Sequence, residues 1–148
     1  MNHVIDTTAY LDSVLELLKD GKDAIAVPVT GTSMCPFLRP GDCVYLSKAA
    51  EHFRPGDIVL YRRNNGNYIL HRIIKTEKDG TLLITGDNQT QLEPVDGSVQ
   101  IQALVTAANR KGQLLSPRSL TWQFYQHIWR WLLPLRSIIG KIHKIKTR

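Results

Sequence analysis

The sequence predicts a mainly β fold with a short helix in front and an amphipathic helix behind. Three observations carry that prediction. A helical apolar period is confined to the opening of the chain, extended apolar runs bounded by turn residues fill the middle, and an acid-free helical pattern rich in tryptophan closes it. With 148 residues, 43% hydrophobic and 22% charged, the chain can bury a core without staples, which excludes a disordered polypeptide. The expected organisation is a β domain over residues 1–116 and a basic, aromatic helical tail over residues 117–148.

Thr7 and Thr8 precede a stretch in which Leu11, Val14, Leu15 and Leu18 recur at helical spacing, and Gly21 supplies a stop. A helix is therefore expected over about residues 8–20. After it the period becomes extended, in the runs AIAVPVT (24–30), CVYLS (43–47), DIVLYRR (57–63), NYILHRIIK (67–75), TLLITG (81–86) and SVQIQALVTAANR (98–110). All are rich in Val, Ile, Leu and Tyr, the residues that suit a pleated, half-buried surface. RPGD occurs at 39–42 and 54–57, where Pro and Gly fit the central positions of a type II turn; two turns meeting the same local need explain the repetition. NNGN at 64–67 marks a hairpin between the runs on either side. In the tail, Phe124, Ile128, Trp131, Leu132, Leu135, Ile139 and Ile142 fall on one helical stripe, with Arg130, Lys141, Lys144 and Arg148 opposite and Pro134 expected to kink or divide the helix.

Charge is split along the chain. Residues 1–96 carry 10 Lys/Arg against 13 Asp/Glu, a net of −3, whereas residues 97–148 carry 9 Lys/Arg and no acid, a net of +9. The opening residues hold Asp6, Asp12, Glu16 and Asp20 and no continuous apolar segment, so no secretory signal is read there. No run approaches the roughly 18 apolar residues of a membrane-crossing helix. The expectation is a chain kept on the cytoplasmic side, where Cys35 and Cys43 stay free thiols; they form no metal spacing, and no cofactor is implied. The tail, aromatic and basic without acids, reads as an interfacial helix that binds an anionic membrane surface through residues 118–148. The competing expectation is that its stripe packs on the β body. Nucleic acid is not expected, because no recognised binding motif accompanies the charge.

The chemistry centres on GTSMCPFLRPGD at 31–42, which holds Ser33 between turn formers. A serine hydroxyl is a weak nucleophile until a base takes its proton. Of the five histidines, His71 stands out because it interrupts an apolar run, ILHRII, where an imidazole costs free energy without a partner. Asp87, in the turn TGDN, is a carboxylate able to orient such a ring.

These segments resemble the signal peptidase I superfamily. GTSMCPFLRPGD is similar to its nucleophile motif (glycine, any residue, Ser-Met, any residue, Pro, then Gly-Asp), DIVLYRR with YILHRII to its second segment, and TGDNQ at 85–89 to its Gly-Asp-Asn box, in the same order over about residues 25–105. The resemblance implies a signal peptidase/LexA-like β fold and a serine endopeptidase that cuts signal or leader peptides after small residues. It implies Ser33 as nucleophile and His71 as general base. That is the histidine version found in endoplasmic-reticulum and sporulation-type enzymes, where common bacterial signal peptidases and LexA-type repressors carry lysine. It further implies an oxyanion site at the Ser33 N–H with Thr32 beside it, and Asp87 as the acid of the box. The histidine version has a second acid six positions later, which here is Glu93, so Asp87, Glu93 and Asp96 all stand as partners of the imidazole. A histidine base sets the expected pH dependence near ~6.5. Two other readings accompany this one. A LexA-like self-cleaving regulator is disfavoured by the histidine, the missing DNA-binding domain and the lack of an Ala-Gly linker; a non-catalytic peptide-binding relative is disfavoured by the intact set of side chains.

Overall fold

A computed structural model describes residues 7–136 and residue 138. Helix α1 (Thr7–Lys19) buries Leu11, Val14, Leu15 and Leu18 and ends where Gly21, at φ 104°, lets its own N–H and that of Lys22 turn back to the Leu18 and Leu17 carbonyls. Eight antiparallel strands follow: β1 (Ile25–Pro28), β2 (Cys43–Lys48), β3 (Ile58–Arg62), β4 (Tyr68–Thr76), β5 (Leu82–Thr85), β6 (Glu93–Val95), β7 (Ile101–Arg110) and β8 (Gln113–Leu115). They lie in the order β1-β2-β7-β3-β4-β5-β6, with β8 paired to β7. The long strand β7 is the spine, holding β2 on one edge and β3 and β8 on the other.

Strand β3 shows how the core is shared. Ile58 and Leu60 join the cluster that contains α1, Val44, Leu46, Phe37 and Trp122, while Val59 and Tyr61 join Ile73, Ile84 and Val95. Successive side chains leave a strand on opposite faces, so a strand apolar at every position has both faces covered. The two RPGD segments adopt the same solution: Gly41 and Gly56 take φ 95° and 97°, and Asp42 and Asp57 accept hydrogen bonds from the Arg39 and Arg54 N–H at 2.9 and 2.8 Å. NNGN closes the β3–β4 hairpin, pairing Arg62 with Tyr68 and Val59 with His71.

The C-terminal segment runs from α2 (Leu120–Gln123), capped by the Ser119 hydroxyl, through a π-helical turn (Phe124–Trp129) to a 3-10 turn (Leu133–Leu135) at Pro134. The expected break at Pro134 thus takes the form of a tighter turn, since proline cannot continue the α-helical bonding. Trp122 is buried against the Phe37 ring, edge-on at 5.4 Å, and Tyr125 lies 4.8 Å from the same ring. Arg130 and Arg136, not the apolar stripe, face the sheet: Arg130 donates to the Ile74 carbonyl, and Arg136 to those of Gly86 and Gln89. Phe124, Ile128, Trp131 and Leu135 are exposed. Ile139, Ile142, Lys141, Lys144, Lys146 and Arg148 lie outside the described residues. Among the described residues no helix is long and apolar enough to cross a membrane.

Candidate active site

Ser33 sits in the loop that joins β1 to β2. The loop is closed at its base by Val29 N–H to the Asp42 carbonyl, 2.7 Å, and Gly41 N–H to the Val29 carbonyl, 3.2 Å. Inside it, Cys35 N–H returns to the Thr32 carbonyl and Leu38 N–H to that of Met34, closing two successive tight turns. Met34, Phe37 and Leu38 are buried and anchor these turns in the core, leaving Ser33 half-buried beside an exposed Thr32. Local bonding and burial thus fix the backbone that carries the hydroxyl.

The Gly-Asp-Asn turn after β5 packs directly on this loop. Asn88 N–H donates to the Ser33 carbonyl at 2.9 Å, and its side chain reaches the Thr32 carbonyl at 3.4 Å. Gly86 has to be glycine, because a Cβ there would run into the Ser33 carbonyl. Asp87 is wholly buried and chelated by Arg72, Nε to Oδ1 at 2.8 Å and Nη2 to Oδ2 at 2.9 Å. Arg72 in turn donates to the Gly56 carbonyl and stacks over Phe37, 5.2 Å from the ring centre. The turn thus fixes the Ser33 loop through its backbone while its carboxylate anchors it to β4.

His71, 5% exposed, comes from β4. Ser33 and His71 line the same cavity of about 610 Å³, whose other walls include Tyr10 and Leu11 of α1, Val29, Met34 and Leu60. The two side chains are not directly hydrogen-bonded among the described residues. Catalytic hydrogen bonds are often long before substrate arrives. Nδ1 of the ring faces the buried Tyr61 hydroxyl at 3.4 Å. Arg63 forms a two-pronged pair with Glu93, Nη2 to Oε1 at 2.6 Å and Nε to both oxygens at 3.1 Å. A second cavity holds His71, Arg63 and Glu93 on its walls.

Electrostatics follow from this packing. Burial, then the Arg63 charge, lowers the His71 pKa to about 4 against the opposing pull of Glu93 and Asp87, so the imidazole is neutral well below pH 7. Hydrogen bonds from Arg63 hold the Glu93 carboxyl below its ordinary range. Burial and the Glu93 carboxylate beside it push the Tyr61 hydroxyl above its usual value, keeping it a neutral phenol. The expected titration near ~6.5 thus shifts downward, because the ring is desolvated and faces a cation.

Of the three acids that the sequence left open, Glu93 shares a cavity with His71 and acts on Tyr61, whose hydroxyl faces the ring. Asp87 has both oxygens occupied by Arg72. Asp96 lies in an exposed turn, where it accepts the Ser98 N–H and hydroxyl. Tyr61, Arg63 and Arg72 are the residues that sequence reasoning missed. A signal for Tyr61 was present: the NNGN hairpin pairs Val59 with His71, and Tyr61 is the next residue on that face. Among the described residues no cluster of His, Cys, Asp and Glu is arranged to hold a metal, and Cys35 and Cys43 are free thiols.

The family model for Peptidase S24-like proteins matches residues 1–106, a span that contains Ser33, Tyr61, His71, Asp87 and Glu93 and ends before the C-terminal helices. No curated protein matches the chain.

Proposed function

The chain belongs to the peptidase S24-like family, which contains LexA-type and signal peptidase I-like peptidases, and from that premise we propose that it is a serine endopeptidase acting on a signal or leader peptide. Ser33 Oγ attacks the scissile carbonyl while Nε2 of His71 takes its proton, then returns it to the leaving amine. For Nε2 to be free the ring must carry its hydrogen on Nδ1, where the Tyr61 oxygen accepts it. The tetrahedral oxyanion is met by the Ser33 N–H, with Thr32 beside it. Val29, Met34 and Leu60, which line the same cavity as Ser33, leave it an apolar wall compatible with the small residues that the resemblance places before the cut.

The observation that carries this reading is the shared cavity: a half-buried serine on a pinned turn and a neutral, buried histidine open into one apolar space. The test is cleavage of a fluorogenic leader peptide by Ser33→Ala, His71→Ala and the double variant. Each single change should abolish turnover, and the double should be no worse, because residues acting as one unit are not additive. Turnover retained in either single variant would overturn the assignment.

A further inference from the structure

The C-terminal helical segment is oriented the opposite way from an ordinary surface helix. Its arginines turn inward, where Arg130 and Arg136 satisfy main-chain carbonyls at the ends of β4 and β5, and Trp122 and Tyr125 pack on Phe37. Trp122 apart, a set of its apolar side chains turns outward: Ile128 is 52% exposed, Trp131 75%, Leu135 49% and Ile138 54%. Leu120 and Phe124 continue the face. A surface helix normally buries its apolar stripe and solvates its charges, and a contiguous exposed apolar face marks an interaction site.

We propose that this outward face seats on an anionic bilayer surface. Charge complementarity selects that occupant: residues 97–148 carry 9 Lys/Arg and no acid, and even without the inward-turned Arg130 and Arg136 and the Asp42-paired Arg110, six of them remain to attract anionic headgroups that no acidic side chain in this third repels. Its composition fits as well, with the aromatic Phe124 and Trp131 alternating with the aliphatic Ile128 and Leu135, the mixture that enters the boundary between headgroups and acyl chains. The inward face of the same segment reaches the Gly-Asp-Asn turn, where Trp129 Nε1 donates to the Asp87 carbonyl at 3.0 Å. Membrane contact and the candidate active site are therefore the two sides of one helical segment.

The test uses the full chain and needs no peptidase activity. It is sedimented with vesicles of phosphatidylcholine plus phosphatidylglycerol and with phosphatidylcholine alone, at low and high salt. Expected are binding to the anionic vesicles, weaker binding to the neutral ones, and loss with salt. Ile128→Ser with Trp131→Ser should weaken binding by about tenfold or more, since two buried apolar side chains are lost without a change of charge. Val99→Ser, at an equally exposed apolar residue outside the helix, should leave it unchanged. The proposal is overturned by absence of sedimentation with anionic vesicles, by equal binding to neutral ones, or by binding that survives the double variant. A concentration-dependent dimer abolished by the same double variant would overturn it in favour of a second copy of the chain.

Discussion

A histidine whose pKa lies near 4 is a weaker base than a free imidazole, but at neutral pH it is almost wholly in the basic form. Catalysis should therefore persist through the range in which an ordinary imidazole protonates. The acid limb of kcat/KM, measured with the leader peptide, is expected near pH 4 to 5, and a limb at 6.5 would mean that His71 is solvated or is not the base. Stability follows the same shift. Between about pH 4 and 6.5 the unfolded chain binds a proton at His71 that the folded chain does not, so this contribution is full above 6.5 and is lost as pH falls towards 4. Orientation is a separate matter, and Tyr61 is its positioning residue. Tyr61→Phe removes the hydroxyl facing Nδ1 and is expected to lower kcat about 10- to 100-fold, the range seen when the outer partner of a functional imidazole is lost. The nitrogen-15 spectrum of His71 should shift with it, from the Nδ1–H tautomer to a mixture. A tautomer and kcat that both stay put would leave Tyr61 a packing residue only.

At the level of the elements, strand β4 places two polar side chains with different duties next to each other, His71 towards the cavity and Arg72 towards Asp87. A buried ion pair becomes costly when one partner is removed, because the other charge is left without compensation. Asp87→Ala is accordingly expected to destabilise the fold by about 3–5 kcal/mol in denaturant titration, and Asp87→Asn to follow in the same direction. If Asp87→Asn keeps full stability and loses only turnover, the carboxylate serves the imidazole and not Arg72. This pair also shows what the sequence could and could not disclose. The long strands, α1 and the turns were legible because periodicity, Gly and Pro encode them locally. Strand β6 was not, since three residues around Pro94 carry no period and sit at the sheet edge, where proline is tolerated. Strand β8 follows a two-residue turn in which Lys111 and Gly112 both take positive φ, 50° and 82°, and lysine gives no hint of that geometry. Ser33 and His71 were found through motif order. The partner of His71 follows from the register of the local β3–β4 hairpin, which motif order alone does not use, and the partner of Asp87 from β4–β5 pairing, which reaches fifteen residues along the chain.

Across the whole molecule, the tail reads differently from its sequence, because its docking face is set by the body it meets. Phe37, from the Ser33 loop, meets Trp122 and Tyr125 of the C-terminal segment and the Arg72 guanidinium of β4. Trp129 and Arg136 hold the carbonyls of Asp87 and Gly86, one residue from the Asn88 N–H that pins Ser33. Residues beyond the family-matched span thus grip both loops of the candidate site. Two substitutions separate support of the fold from support of the site. Trp122→Ala empties a buried aromatic position and should cost about 3–5 kcal/mol of unfolding free energy. Trp129→Phe keeps most of the ring but drops the donor to Asp87, so it should cost only about 1 kcal/mol, while kcat falls as the Gly-Asp-Asn turn loosens. Removing residues 118–148 combines both losses, exposes Phe37, and should leave a chain that unfolds at lower denaturant and cleaves peptide poorly even without membranes. Paired measurements of denaturant midpoint and kcat on the three variants check the scheme. A truncated chain with undiminished stability and turnover would show that the β body positions Ser33 by itself, and would reduce the tail to an attachment.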